Sequence, residues 1–160
     1  MIWLTQPTYD RLHAELEHLR GPGRAEIVER ISAARDEGDL KENGGYHAAK
    51  DEQGKIEGRI AQLEQMLDPK NATTEPSPDD QTVSPGKVVT YRYDGDDEEE
   101  SFLLGAREIA EDHTEIEVYS PQSPLGAALD GHKAGETVDF EQPNGKVAKI
   151  AIVSAVPFQA

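Results

Sequence analysis

The chain has 160 residues, no cysteine and a formal net charge of −16. Without cysteine there are no disulfides, thiolate metal centres or cysteine nucleophile, as suits a reducing cytosol. With no apolar run of about 18 residues, no signal peptide in "MIWLTQPTYD" and an acidity that repels phosphate backbones, the expectation is a cytoplasmic protein with no membrane contact and no independent tight nucleic-acid binding.

Taken in chain order, Trp3 and Leu4 are packing residues ahead of Thr5, which is placed as a helix N-cap. Leu12, Leu16 and Leu19 then recur at helical spacing, as do Ile27, Ile31 and Ala34, one residue out of phase with the first set. Between them lies "GPG" at 21–23, which predicts a break or kink, because proline and glycine are poor residues for a helix interior. From Tyr46 the pattern Tyr46, Ala49, Gln53, Ile56, Ile60, Leu63, Leu67 alternates steps of three and four, a coiled-coil seam with Gln53 as its one polar member. Two seams joined by a short turn bury each other as an antiparallel hairpin.

At 68–86 the composition turns to Pro, Ser, Thr and Asp, which ends the second helix and reads as linker. Strand-like runs follow: "KVVTYRY", "SFLLGAR", "TEIEVYS", "ETVDFE" and "VAKIAIVS", with a hairpin turn at Asn144-Gly145. "SPLGAALDG", 123–131, predicts a short helix with Ser123 as N-cap and Pro124 at its first position. The fold class is therefore α+β: an N-terminal antiparallel α-helical coiled-coil hairpin over 1–72, a linker over 73–81, and an antiparallel sheet with one short helix over 82–160.

Acids mark the hairpin turn. Gly38 can close the first helix in a left-handed conformation, and Asp39-x-x-Glu42 has the spacing of a capping box that opens the second. The same two carboxylates, three residues apart at a turn remote from any core, could instead share a divalent cation through hard oxygen ligands. Two ligands are too few for a tight site, so the remainder must come from another molecule.

"GDLKEN" followed by "YHAAKDEQGKIEGRI" closely resembles the hairpin tip of the bacterial GreA transcript cleavage factor family, and "SPLGAALDGHKAGETVDF" resembles that family's C-terminal domain. The resemblance covers nearly the whole chain. It implies an FKBP-like C-terminal domain that docks on bacterial RNA polymerase, and a coiled coil that enters the secondary channel. It further implies an accessory factor rather than an enzyme: one that stimulates the polymerase's own cleavage of backtracked transcripts. Asp39 and Glu42 would then hold Mg2+ jointly with the polymerase and position the attacking water, with no cofactor in the free protein. Lys50, Tyr46, Lys41 and Arg35 become candidates for contact with the transcript RNA 3′ end, Tyr46 by stacking.

The chain departs from the family pattern in three places. Gly44-Gly45 replaces the common Ala-Glu, Lys50 replaces Arg and so lacks the bidentate fork, and "GPGRAEI" replaces an Arg-Pro run. His47 beside the tip reads as surface decoration. The alternatives are a channel-occupying inhibitor of the same fold, against which the retained Asp39 and Glu42 argue, and a prolyl isomerase, for which three Phe, five Tyr and one Trp offer few aromatic walls.

Overall fold

A computed structural model of the chain describes residues 1–38 and 43–159. It contains two compact units: Tyr9–Asn71, and Met1–Thr8 together with the chain from Ala72 onward.

In the first unit lies most of helix α1, Gln6–His18, then a π-helical turn over Leu19–Gly23, helix α2, Arg24–Arg35, and helix α3, Gly44–Leu67. The seam read from the sequence is the buried face: Leu12, Leu16, Ile27, Ile31 and Ala34 are buried, as are Ala49, Ile60, Leu63 and Leu67. Ile27, Ile31 and Ala49 form a cluster on which Tyr46 and Ile56 pack.

At "GPG" the chain neither breaks nor leaves the helix. His18, Gly23 and Arg24 all keep right-handed helical angles, and the Arg24 N–H donates to Leu19 O, five residues back. Proline offers no N–H, and its ring crowds the carbonyl four residues earlier, so widening one turn relieves both problems. The wide turn also absorbs one extra residue, which accounts for the phase slip between the two sets of apolar positions. Arginine–carboxylate pairs bind α3 to the arm before, within and after this turn: Arg59 to Glu15 at 2.7 Å, Arg20 to Glu64 at 3.4 Å and Arg24 to Glu57 at 2.9 Å. Hydrogen bonds from Arg59 and from Arg24 hold the Glu15 and Glu57 carboxyls below the usual carboxylate range.

The second unit pairs strand β1, Ile2–Trp3, in parallel with β2, Ala72–Thr73. Its main sheet comprises β3, Lys87–Tyr93, β4, Glu100–Leu104, β5, Glu117–Tyr119, β6, Thr137–Glu141, and β7, Val147–Pro157, in the order β5-β4-β3-β7-β6. Three of the pairings are antiparallel as expected, but β4 and β5 run parallel, so the sheet is mixed. Parallel neighbours cannot be joined by a hairpin, and a 3-10 turn over Arg107–Glu111 lies in their crossover. Helix α4, Pro124–Leu129, is capped by Ser123, which accepts from the Gly126 N–H, as the sequence predicted. The Asn144-Gly145 turn also forms, with Gly145 at φ 84° and the Gln142 N–H donating to Lys146 O.

The core on one side of this sheet gathers Val89, Tyr91, Phe102, Leu104, Leu129, Phe140, Ile150 and Ile152. Trp3 and Leu4, expected in the hairpin half, belong to this unit, and both are buried. The Trp3 indole lies so close to Gly86 that a β-carbon there would sit 2.9 Å from the ring, and the φ of +95° at Gly86 independently requires glycine. Trp3 Nε1–H donates to Glu75 O at 2.8 Å, and Phe158 meets the ring edge-on.

The stretch 73–81, expected to be a linker, is tied down along its length. The Leu4 N–H donates to Thr73 O, Asp80 accepts from the fully buried Lys87 ammonium at 2.7 Å, and Gln81 Oε1 accepts from the Ala155 N–H. Its polar composition reflects these individual bonds rather than free chain. The Lys87 hydrogen bond holds the Asp80 carboxyl below its ordinary range.

Thr5 caps α1, accepting from the Thr8 N–H at 3.3 Å. Thr5 Oγ1 donates to Thr8 Oγ1, which donates to Asp112 Oδ2 at 2.7 Å, leaving His113 Nε2 to donate to Thr5.

Candidate functional site at the hairpin turn

Among the residues predicted to carry function, Asp39, Lys41 and Glu42 lie outside the described residues. Arg35, Tyr46 and Lys50 are described, and they bracket the turn from its two sides.

α2 ends at Arg35, where the Asp36 N–H donates to Ser32 O and the Glu37 N–H to Ala34 O. Gly38 follows at φ 137°, the positive value expected of it. The chain re-enters helix at Gly44, and the N-cap is Asn43: its Oδ1 accepts from the Tyr46 N–H at 2.9 Å. The capping box expected on Asp39 is therefore not the cap of α3. An N-cap stands immediately before the first periodic residues, and Asn43, three before Tyr46, is the residue that the rule singles out. Asp39 and Glu42 match a more elaborate motif, which hides that signal in the sequence.

Asn43 also reaches across the turn. Its Nδ2 donates to Ala34 O in the last turn of α2, so one amide holds both helix ends. One residue on, the Arg35 guanidinium sits over the Tyr46 ring, 5.8 Å from its centroid, a cation–π contact that again joins α2 to α3. His47 meets Tyr46 edge-on at 5.5 Å. Tyr46 is half-buried, in keeping with a seam residue whose remaining ring surface is open. Lys50, one turn along α3, is exposed and donates to Gln53 Oε1 at 3.0 Å.

These described residues form a braced junction with a basic and aromatic border, of which Arg35 and Tyr46 touch and Lys50 stands apart. Its weak point is Gly44-Gly45, whose two residues give the first turn of α3 a helix propensity about 1 kcal/mol per residue poorer than alanine. Among the described residues no group of three or more His, Asp or Glu side chains could hold a metal ion, and no helix is long and apolar enough to cross a membrane.

Comparison with known proteins covers both units. The family model described as "Transcription elongation factor, N-terminal" matches residues 2–71, and that described as "Transcription elongation factor, GreA/GreB, C-term" matches residues 77–156. The transcription elongation factor GreA of Streptomyces avermitilis is 53% identical over 99% of this chain and 95% of its own length. That of Saccharopolyspora erythraea is 52% identical over 99% and 96%, and that of Mycolicibacterium vanbaalenii 46% identical over 99% and 96%. The two family models together span nearly the whole sequence, and the chain belongs to the GreA/GreB family of transcription elongation factors.

Proposed function

We propose that this chain is an accessory factor of bacterial RNA polymerase: it binds the enzyme, passes the end of its hairpin into the secondary channel, and stimulates the polymerase's own cleavage of backtracked transcripts in the cytoplasm. The observation that carries the reading is the sequence "GDLKEN", with Asp39 and Glu42, set between two helix ends braced by Asn43 and by Arg35 on Tyr46. Asn43 already fills the N-cap position of α3.

Asp39 and Glu42 are hard oxygen donors, a set that suits Mg2+ and is incomplete without the polymerase's own ligands. When bound, such an ion supplies Lewis-acid stabilisation of developing charge and lowers the pKa of its water. This chain's part is to bring two carboxylates to the reacting phosphodiester, one orienting water, with Tyr46 offering a face to the terminal base and Arg35, Lys41 and Lys50 countering transcript charge. The factor has no complete site of its own, and the purified protein without polymerase is expected to leave RNA intact.

The test is transcript shortening in backtracked complexes at saturating factor. Asp39→Asn and Glu42→Gln are each expected to lower it tenfold or more, as each ~1.4 kcal/mol of lost transition-state stabilisation costs about a factor of ten. Both variants should melt within a few degrees of the parent. Full cleavage with Asp39→Asn, or hydrolysis by the factor alone, overturns the proposal.

A further inference from the structure

The two hydrogen bonds of Asn43 are separable. Its Oδ1 does everything an N-cap must, and aspartate or serine would serve the Tyr46 N–H as well. Its Nδ2 does something no cap requires: it donates to Ala34 O, a carbonyl that already accepts from the Glu37 N–H. A carbonyl has two lone pairs, and here both are used, one inside its own chain end and one across the turn.

The surroundings give the bond weight. Gly44 and Gly45 have no side chains with which to hold the first turn of α3 against α2, and a β-carbon on Gly44 would meet open space. Glycine also leaves that turn the most backbone freedom to lose. Among the described residues, the crossing from α3 to α2 at the level of Asn43 therefore rests on one amide, and Arg35 over Tyr46 braces it next door.

We propose that Asn43 is a positioning residue for transcript cleavage: its side-chain amide clasps the end of α2 to the start of α3 and fixes the two anchor points between which residues 39–42 run. This rests on the function proposed above. It assigns the clasp, rather than the cap, as what catalysis needs, because a displacement of about 1 Å at reacting groups can cost two orders of magnitude in rate.

The experiment uses the full chain. In the free protein, one proton of the Asn43 side-chain amide should exchange slowly with solvent in NMR. Asn43→Asp and Asn43→Ser keep a good cap and remove the bond to Ala34; Ser adds no charge, and so controls for the added carboxylate. Each should half-saturate polymerase at the parent's concentration, yet at saturating factor lower transcript cleavage by tenfold and raise the magnesium concentration needed for half-maximal cleavage. Gly54→Ala with Gly58→Ala, two open positions of α3, should restore any lost melting temperature without restoring cleavage.

Parent-level cleavage by both Asn43 variants overturns the proposal, as does recovery of cleavage with the two alanines, which would make Asn43 a stabilising residue only. A freely exchanging Asn43 amide removes the clasp itself. If the parent stimulates no cleavage, the function proposed above fails and this role with it, while a protected amide still leaves the clasp in place.

Discussion

Tyr119 donates to the Glu117 carboxylate at 2.6 Å, and Tyr91 donates to Glu100 at 2.8 Å, each within the aromatic group that also holds Phe102. Ionising either phenol would break its bond and set two negative charges together. Accordingly, the Glu117 hydrogen bond, then burial, pushes Tyr119 up to about 12, and burial, then Glu100, raises Tyr91. A raised folded-state pKa means the contribution to stability is complete below the ordinary phenol value of 10 and is lost as pH climbs towards 12. Denaturant midpoints of the second unit should thus fall from pH 10 upward, ahead of the native-state ionisation of Tyr119 near pH 12, and the fall should be shallower in Tyr119→Phe; a flat profile would count against these pairings. None of this was legible from the sequence, where Glu100 closes the acidic run "DGDDEEE" and nothing singles it out as a partner for Tyr91. The same is true of Lys87: in a strand pattern it stands where a solvated end is expected, yet Asp80 and Thr82 O satisfy its ammonium in the interior.

At the scale of elements, periodicity carried most of the information. The α3 seam, the strand over Lys87–Tyr93 and the short helix after Ser123 stand where the spacing put them. What it could not convey was how the chain would absorb a local violation. Leu19 and Ile27 are eight apart where a heptad wants seven, and the extra residue could have been a break, a kink or a wide turn; only backbone hydrogen bonding distinguishes them. The parallel β4–β5 pair escaped for a related reason, since alternation in a strand says nothing about the direction of its neighbour. The wide turn gives a sharp expectation. Deleting Pro22 returns the spacing to seven and removes the residue least suited to a regular helix, so the shortened chain should keep its hairpin and gain about 1 kcal/mol or more in urea unfolding. Pro22→Ala, which leaves the surplus residue, should keep the π turn. A hairpin that unfolds on the deletion would show that the turn is structurally required.

On the scale of the whole molecule, the order of the chain and the order of its packing disagree. The N-terminal eight residues complete the unit built from the C-terminal half, setting Trp3 against Gly86 and Phe158 and burying Leu4 fully. Removing a buried tryptophan or leucine costs about 3–5 and 2–5 kcal/mol respectively, against a total stability of about 5–15 kcal/mol for a domain. A fragment of residues 82–160, which the composition suggested as an independent domain, should therefore be largely unfolded or aggregate. In a chain that starts at residue 72, and so keeps β2, Asp80 and Gln81, moving residues 1–8 to follow residue 160 through a short flexible linker should restore cooperative unfolding, because Trp3 and Phe158 already lie side by side. A stable, cooperative 82–160 fragment would contradict this. Trp3 is also the only tryptophan in the sequence. Its emission thus reports on the sheet unit, although it stands at the head of the chain, whereas far-ultraviolet ellipticity is dominated by the helices of the hairpin. One sample holds two spectroscopically separate reporters, one for each unit, with no label attached.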